Sequence, residues 1–301
     1  MQKLLMFALV GVAAQLVDGS LGMAYGVTST TLLLMLGTNP AMASAMVQFA
    51  QLGTTAASGV AHHSFGNVDW RVVRTIALPG AIGAFVGASV LVWLSENYLS
   101  TAKTVMAVLL LGLGVYLLTR FTLQGFRTDR LDEPPTRRFL VPLGATAGFV
   151  DATAGGGWGP IGTPALLASG RMEPRKVIGS VSTSEFLVTL AASIGFIAGL
   201  GLADIQWTIV VGLLLGGALV APFAAYLVKV VPPRMLGSLV GGLIVLTNTR
   251  TLINADLVTL PAAAAWAIYA LEVLAWAWAI RYSWRAHRAQ AELPARATAS
   301  V

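Results

Sequence analysis

The chain has 301 residues, of which 56% are hydrophobic and only 11% are charged, so it is not an ordinary water-soluble domain, in which about a quarter of residues are charged. The formal net charge is +6, but the basic residues lie in short loops and tails, a pattern that argues against nucleic-acid binding. The absence of cysteine excludes disulfides and thiolate metal sites.

Continuous apolar runs of about 20 residues, the length that crosses a hydrocarbon core, predict an all-α polytopic membrane protein. The runs are rich in Leu, Ala and Gly and do not alternate, which argues against membrane strands. The first run follows Lys3 and is similar to a signal peptide, but the apolar pattern continues beyond it, so we interpret it as a membrane segment. The predicted segments are 4–37, 41–62, 72–94, 101–121, 139–170, 175–201, 206–229, 235–253 and 258–284.

The first and fifth predicted segments contain residues that disfavour a helix, and they match each other. "VDGSLGMAYGVTSTTLLLMLG" at 17–37 aligns without a gap on "VDATAGGGWGPIGTPALLASG" at 150–170. From Asp18 and Asp151 onward, seven of the twenty aligned pairs are identical. The sequence therefore predicts an internal repeat, in which each half has one broken segment followed by three transmembrane helices.

The repeat divides the chain into five parts. The hydrophilic stretch between the halves has adjacent prolines and mixed charges, which argue against a helix there. The predicted parts are a first repeat at 1–121, a cytoplasmic linker at 122–138, a second repeat at 139–253, an extra C-terminal transmembrane helix at 254–284 and a disordered cytoplasmic tail at 285–301.

The distribution of Lys and Arg predicts the orientation, because cytoplasmic loops are enriched in both residues. If each broken segment is re-entrant and returns to the side that it entered from, the linker, the basic loop 171–176 and the C-terminal tail all lie inside. Each half then has three net crossings, so the two repeats have inverted topology. We predict a multi-pass protein of a bacterial-type inner (plasma) membrane, with the linker and the C-terminus in the cytoplasm and the N-terminus outside.

Three features of the sequence resemble one family. The glycine-rich first segment of each half, the "GNVDW" loop at 66–70 and "PGAIGAFVGA" at 79–88 are similar to those of the TauE/SafE (sulfite exporter, DUF81) membrane permeases, and the resemblance covers about residues 5–253. The first half departs from the pattern, because "GMAYG" stands opposite "GGGWG". The resemblance implies export of small sulfur oxyanions or organosulfonates, such as sulfite or sulfoacetate.

The two breaks predict the substrate site. Irregular backbone inside a membrane is tolerated only within protein or beside a wet cavity, and the helix that starts after a break presents unpaired N–H groups that suit an anion. The alternative is that the glycines only allow close helix packing. The predicted substrate-binding residues are Gly22, Tyr25, Gly26, Thr28, Ser29, Thr30, Gly155, Gly156, Gly157, Trp158, Gly159 and Thr163.

Two aspartates, Asp18 and Asp151, immediately precede the breaks. Each could cap a helix by accepting a backbone N–H, or could carry a coupling proton or cation, since carboxylates inside membranes mark such paths. Two ionised aspartates beside an anion path would repel the anion, which predicts that at least one is protonated or carries a proton in transport.

A third carboxylate, Glu185, lies within a 27-residue apolar stretch and is the leading candidate for a coupling residue. Its alternative role is a structural hydrogen bond between helices. With one inserted residue, the repeat alignment places Gln51 opposite Glu185 and Gln48 opposite Ser182. These four residues complete the predicted polar core, together with Asp18 and Asp151.

The leading hypothesis is a secondary transporter that exports a small anion by alternating access, with the substrate at the interface of the two broken segments and with coupling to a proton or cation. An anion channel or a non-transporting membrane subunit is the alternative. An enzyme is disfavoured, because the chain lacks HExxH and GxSxG patterns, and no ATP-binding P-loop is present. We predict no catalytic residue, no cofactor and no metal, since His62 and His63 have no further ligands at a suitable spacing.

Overall fold

A computed structural model describes residues 2–21, 23–123, 133–230, 233–254 and 260–298, and within these residues every regular element is an α-helix. The all-helical prediction is thus confirmed. The first half contains α1 (Gln2–Leu21), α2 (Tyr25–Met35), α3 (Pro40–Ser64), α4 (Trp70–Asn97) and α5 (Leu99–Leu123). The second half contains α6 (Arg137–Ala154), α7 (Trp158–Ala168), α8 (Pro174–Leu200), α9 (Trp207–Val230) and α10 (Pro233–Ile253), and α11 (Ala262–Thr298) follows.

Both segments that the sequence marks as broken are interrupted, between Leu21 and Tyr25 in the first half and between Ala154 and Trp158 in the second. In the second half, Gly155 ends α6 with φ +70°, a left-handed conformation that glycine adopts without steric cost. In the first half the equivalent turn passes through Ala24 at φ +91°, a value that is uncommon for a residue with a Cβ atom. The chain therefore stops one helix and starts another in the interior of each half.

The second long helix of each half, α3 or α8, begins with a proline. Pro40 and Pro174 occupy the first turns of α3 and α8, where the missing N–H of proline costs no hydrogen bond. The Asn39 side chain accepts a hydrogen bond from the N–H of Ala41 at 2.9 Å. The two halves thus share the proline at the start of this helix, but only α3 has a side-chain cap, since Glu173 makes no such bond in α8.

Four described helices are long and apolar enough to cross a membrane by length and composition. Shorter apolar stretches lie within α9, at Trp207–Val220, and within α10, at Gly237–Ile253. The four are Trp70–Asn97, Leu99–Leu123, Pro174–Leu200 and the part Ala262–Ala286 of α11.

The two halves pack on each other through equivalent pairs of helices. The first helix of each half lies along the fourth helix of the other, so α1 packs on α9 and α6 packs on α4. The second long helices, α3 and α8, pack on each other, as do α5 and α10. Small residues allow the close approach: a Cβ atom on Gly148 of α6 would lie 3.0 Å from the Cα atom of Gly80 on α4, and one on Gly11 of α1 would lie 2.9 Å from the Cα atom of Leu213 on α9.

The last helix, α11, lies on the outside of this bundle against α10 and α5. A chain of buried hydroxyls joins the three helices, with 3.0 Å from Thr122 to Ser238 and 2.8 Å from Ser238 to Ser283. Within Ala262–Ala286 most of the surface of α11 is exposed and includes large apolar side chains such as Trp266 and Leu274. Ser283 and Trp276, which both bond to Ser238, fix α11 to α10.

The structure extends α11 beyond the predicted end. The apolar pattern predicts that the last helix ends at residue 284 and that a disordered tail follows, whereas α11 continues to Thr298. Arg, Ala, Gln and Glu at 285–292 are good helix formers, so the helix propensity continues after the apolar stretch has ended. Of the predicted linker, residues 124–132 lie outside the described residues, and α6 begins at Arg137.

Candidate functional site

The two breaks, which are far apart in the sequence, lie in direct contact. The hydroxyl of Thr30 donates to the carbonyl of Gly155 at 2.8 Å. A Cβ atom on Gly26 would lie 2.6 Å from both the Gly155 oxygen and the Cα atom of Gly156. These three glycines therefore serve the close packing of one break on the other.

Each aspartate spans its own break and caps the helix on the far side. The Oδ1 atom of Asp151 accepts the N–H groups of Gly157 at 2.7 Å and Trp158 at 3.0 Å, where α7 begins. The Oδ1 atom of Asp18 accepts the N–H of Tyr25 at 3.1 Å, where α2 begins. A carboxylate at a helix N-terminus is stabilised by the unpaired N–H groups and by the helix dipole. These N–H groups were predicted to bind an anion, but they are already bonded to the aspartates.

The aspartates differ in their surroundings. Asp151 is only 1% exposed, and its Oδ2 atom accepts the side-chain N–H of Gln48 at 2.9 Å. Asp18 is half-buried and receives the single backbone hydrogen bond from Tyr25. Asp151 is thus held by three donors from two elements, while Asp18 stands at the edge of an open space.

Glu185 and Gln51, which the repeat alignment places opposite each other, are in contact. The side-chain amide of Gln51 on α3 donates to the Oε1 atom of Glu185 on α8 at 3.2 Å. Gln51 is 4% exposed, and its own oxygen, Oε1, has no hydrogen-bond partner. Equivalent residues of two repeats meet only where the repeats face each other, so this pair marks the interface between the halves.

A cavity of about 130 Å³ lies between the breaks, α3 and α8. On α3 its lining runs from Gln51 to Ser58, towards the C-terminal end of that helix. The predicted residues that line it are Asp18, Tyr25, Gly26, Gln51, Asp151, Gly156, Gly157, Gly159, Ser182 and Glu185. The structure thus brings ten of the predicted residues to one cavity.

The other predicted residues do not line this cavity. Thr28, Ser29 and Thr163 are buried in the helices that follow the breaks, because only the first turn of each helix faces the cavity. Thr30 and Gly155 bond to each other, and Gln48 bonds to Asp151, as described above. Trp158 is fully buried, and its indole N–H donates to the carbonyl of Val181 at 3.0 Å. Gly22 lies outside the described residues.

Sequence reasoning missed several lining residues. Thr54, Thr55 and Ser58 follow Gln51 at spacings of three, four and seven residues, which places all four on one face of α3. Gln15 lies one helical turn before Asp18. A search for a polar stripe on an otherwise apolar helix would have found the first set, since the signal is periodic.

The lining is acidic. It contains three carboxylates, Asp18, Asp151 and Glu185, and among the described residues no Lys, Arg or His lines the cavity. Nor do the described residues contain a cluster of three or more acidic or His side chains that could hold a metal ion. Neutral donors come from the side chains of Gln15, Ser58 and Ser182 and from the first-turn N–H groups of Gly26 and Gly159, which lie too early in their helices to join the intrahelical hydrogen bonds.

The "GNVDW" loop packs against the start of α8. The Lys176 ammonium group donates to the carbonyl of Gly66 at 2.7 Å, and the N–H of Asp69 donates to the hydroxyl of Ser180 at 2.8 Å. Asp69 also caps α4 through the N–H of Arg71 at 2.9 Å. The loop therefore fixes the segment of α8 that comes directly before the cavity lining.

The chain is similar to one family of known membrane proteins. Residues 7–251 match the family described as Sulfite exporter TauE/SafE, which confirms the resemblance found in the sequence. The chain is 51% identical over 255 residues to "Probable membrane transporter protein YtnM" of Bacillus subtilis (strain 168), and the match covers 84% of each chain. No solved structure is significantly similar to the chain.

Proposed function

Because this chain belongs to the sulfite exporter TauE/SafE family, we propose that it is a secondary transporter that exports small sulfur oxyanions or organosulfonates. Membership of the family, together with the name of the Bacillus subtilis relative, makes the protein a membrane transporter and not an enzyme. The observation that carries the proposal is the cavity of about 130 Å³ at the contact of the two breaks, because it is lined from both halves.

The substrate occupies this cavity in our proposal. Ligand sites of secondary transporters are formed by discontinuous helices at the interface between repeats. The first-turn N–H groups of Gly26 and Gly159, an identical pair in the repeat alignment, supply donors to an acid group from opposite halves. A cavity of this size suits a molecule with a few heavy atoms, which agrees with a small oxyanion or sulfonate.

Alternating access follows if the repeats have inverted topology. The exchange of equivalent helices between halves, α1 on α9 and α6 on α4, supports a two-fold relation between them. The lining runs along α3 towards Ser64, the end that the Lys and Arg distribution assigns to the cytoplasm. We therefore interpret this conformation as inward-facing, with rocking of the two halves exposing the cavity to the outside.

Glu185 is the coupling group in this proposal. Asp18 and Asp151 accept backbone N–H groups at helix N-termini, whereas the single hydrogen bond to Glu185 comes from the side-chain amide of Gln51. Of the three acidic side chains it has the least support for a permanent charge, since Asp18 and Asp151 also repel a negative charge on it. Gain and loss of its proton would therefore accompany the transport cycle.

The test is transport in proteoliposomes. Glu185→Gln keeps the shape and the contact with Gln51 but removes the exchangeable proton. We expect uptake driven by a pH gradient to fall to background, while substrate exchange without a gradient continues. Glu173→Gln, a change of the same kind on an exposed loop side chain, should leave both activities unchanged.

The same assay separates the alternatives. Gradient-driven uptake by Glu185→Gln at the wild-type rate would remove the coupling role of this residue. Absence of flux for sulfite, sulfoacetate and other small sulfonates would refute the substrate class, and non-saturable, uncoupled flux would indicate a channel.

A further inference from the structure

The charged side chains that line the cavity are unbalanced, because all of them are acidic. Three carboxylates line it and no basic side chain of the described residues does. The hydroxyl protons of Thr54 and Thr55, both in the lining, are directed to the carbonyl of Gln51 at 3.2 and 2.7 Å, so these hydroxyls turn acceptor lone pairs to the cavity. A simple oxyanion, which is itself a pure acceptor, would leave this side of the cavity unmatched.

A buried acceptor independently points to a ligand with a donor. Gln51 is 96% buried, since 4% of its surface is exposed, and its Oε1 atom has no partner although the residue lines the cavity. The amide Nε2 atom donates to Glu185, which fixes the orientation of the amide and turns Oε1 towards Gly26. A buried polar atom without a partner costs free energy, and a ligand N–H would remove that cost.

An ammonium group is the ligand group that matches these acceptors. The described carboxylates do not form a cluster that could ligate a metal. An ammonium group carries three donors that point in different directions, so it can bond the Gln51 oxygen and the Glu185 carboxylate together. The acid end of the same molecule would then meet the first-turn N–H groups of Gly26 and Gly159.

We propose that the substrate is a short zwitterion, in which an ammonium group binds between Gln51 Oε1 and Glu185 while a sulfonate or related acid group binds at the N-termini of α2 and α7. This inference rests on the proposed transport function and narrows its substrate class to amino-substituted acids. It also supplies a physical reason for coupling, because a proton and an ammonium group would compete for the Glu185 carboxylate. A proton that binds Glu185 would displace the ammonium group, so the proton enters as the substrate leaves.

The experiment compares two probes that differ in one group. 2-Aminoethanesulfonate and 2-hydroxyethanesulfonate share the sulfonate and the chain length, and only the first has an ammonium group. Binding to the purified full-length protein in detergent is measured by calorimetry, and uptake is measured in proteoliposomes. We expect the amine to bind at least tenfold more tightly than the alcohol.

A variant tests whether Gln51 causes the preference for the amine over the alcohol. Gln51→Met has a similar length but lacks the amide oxygen, and we expect it to reduce the amine-to-alcohol affinity ratio at least fivefold. Gln206→Met, an equivalent change at an exposed loop position, should keep the wild-type ratio. A wild-type ratio retained by Gln51→Met would overturn the assignment of the ammonium site to Gln51.

Each outcome in the wild-type protein has a distinct meaning, so the test does not depend on the folding of a variant. Equal or tighter binding of the alcohol, together with its transport, would overturn the zwitterion proposal and leave the proposed transport of sulfonates intact. Transport of neither sulfonate, nor of sulfite, would overturn both.

Discussion

At the scale of single residues, the two aspartates illustrate how one local motif serves two environments. Both accept a backbone N–H at the start of the following helix, so capping is their shared geometry. Only Asp151 is fully buried and bonded to a second helix through Gln48. We therefore expect Asp151 to matter more for stability and Asp18 to matter more for the chemistry of the cavity.

Asp151→Ala should lower the free energy of unfolding by about 3 kcal/mol, because it leaves two buried N–H groups and the Gln48 amide without an acceptor. Asp18→Ala, which removes one capping bond, should cost about 1 kcal/mol. Thermal unfolding in detergent measures both. Asp204→Ala, at an exposed loop position, is the control and should change stability little; equal losses in all three variants would contradict the capping role.

The residue scale also shows where sequence reasoning stops. The glycines, the aspartates and Glu185 could be found from their types alone, because each is costly inside an apolar helix unless it has a partner. The threonines after the breaks could not be sorted in this way. Thr54 and Thr55 line the cavity and Thr28 does not, since the choice depends on which face of each helix meets its neighbour.

At the scale of elements, the contact of α4 with α6 depends on glycines that let two backbones approach. A Cβ atom on Gly148 would lie 2.8 Å from the carbonyl carbon of Gly80, closer than van der Waals contact allows. The backbone of α4 cannot move aside as a flexible side chain could. The apolar pattern of the two helices predicts that they exist, and the glycines decide how closely they pack.

Gly148→Ala should lower the free energy of unfolding by about 2 kcal/mol through overpacking, even though alanine favours a helix. Gly112→Ala on α5 is a matched control, because nothing lies within 4 Å of its Cβ position. There we expect a gain of up to about 1 kcal/mol from helix propensity. Thermal unfolding of the two variants in detergent should show shifts of opposite sign, and shifts of the same sign would contradict close packing at Gly148.

At the scale of the whole molecule, the orientation of the two halves is the main prediction still to be tested. Leu36 directly follows α2 and Glu173 directly precedes α8, so each lies in the loop that joins the broken segment of its half to the next long helix. Inverted topology puts them on opposite sides of the membrane, outside for Leu36 and inside for Glu173. A parallel repeat would put them on the same side.

Single-cysteine labelling tests this directly, because the natural chain has no cysteine and therefore no background. In intact cells, a membrane-impermeant maleimide should label Leu36→Cys, and should label Glu173→Cys only after permeabilisation. Ala203→Cys and Glu133→Cys, at exposed positions, serve as the outside and inside controls. Labelling of Leu36→Cys and Glu173→Cys from one side would exclude inverted topology.

The sequence by itself determined which elements exist. Apolar length, capping residues and the repeated glycines act locally, and they located both breaks as well as most helix ends within a few residues. The largest deviation, at the end of α11, arose because polar residues of high helix propensity carried the helix past its apolar part.

The tertiary structure alone decided which side chains meet. Gln51 and Glu185 are 134 residues apart, and Gln48 and Asp151 are 103 apart, so no local pattern could have paired them. The packing of α3 on α8 and of one break on the other brings three carboxylates and the predicted anion-binding glycines to the same cavity. The physical reason is that hydrogen bonds between helices depend on helix rotation and spacing, which are set by packing of the whole bundle.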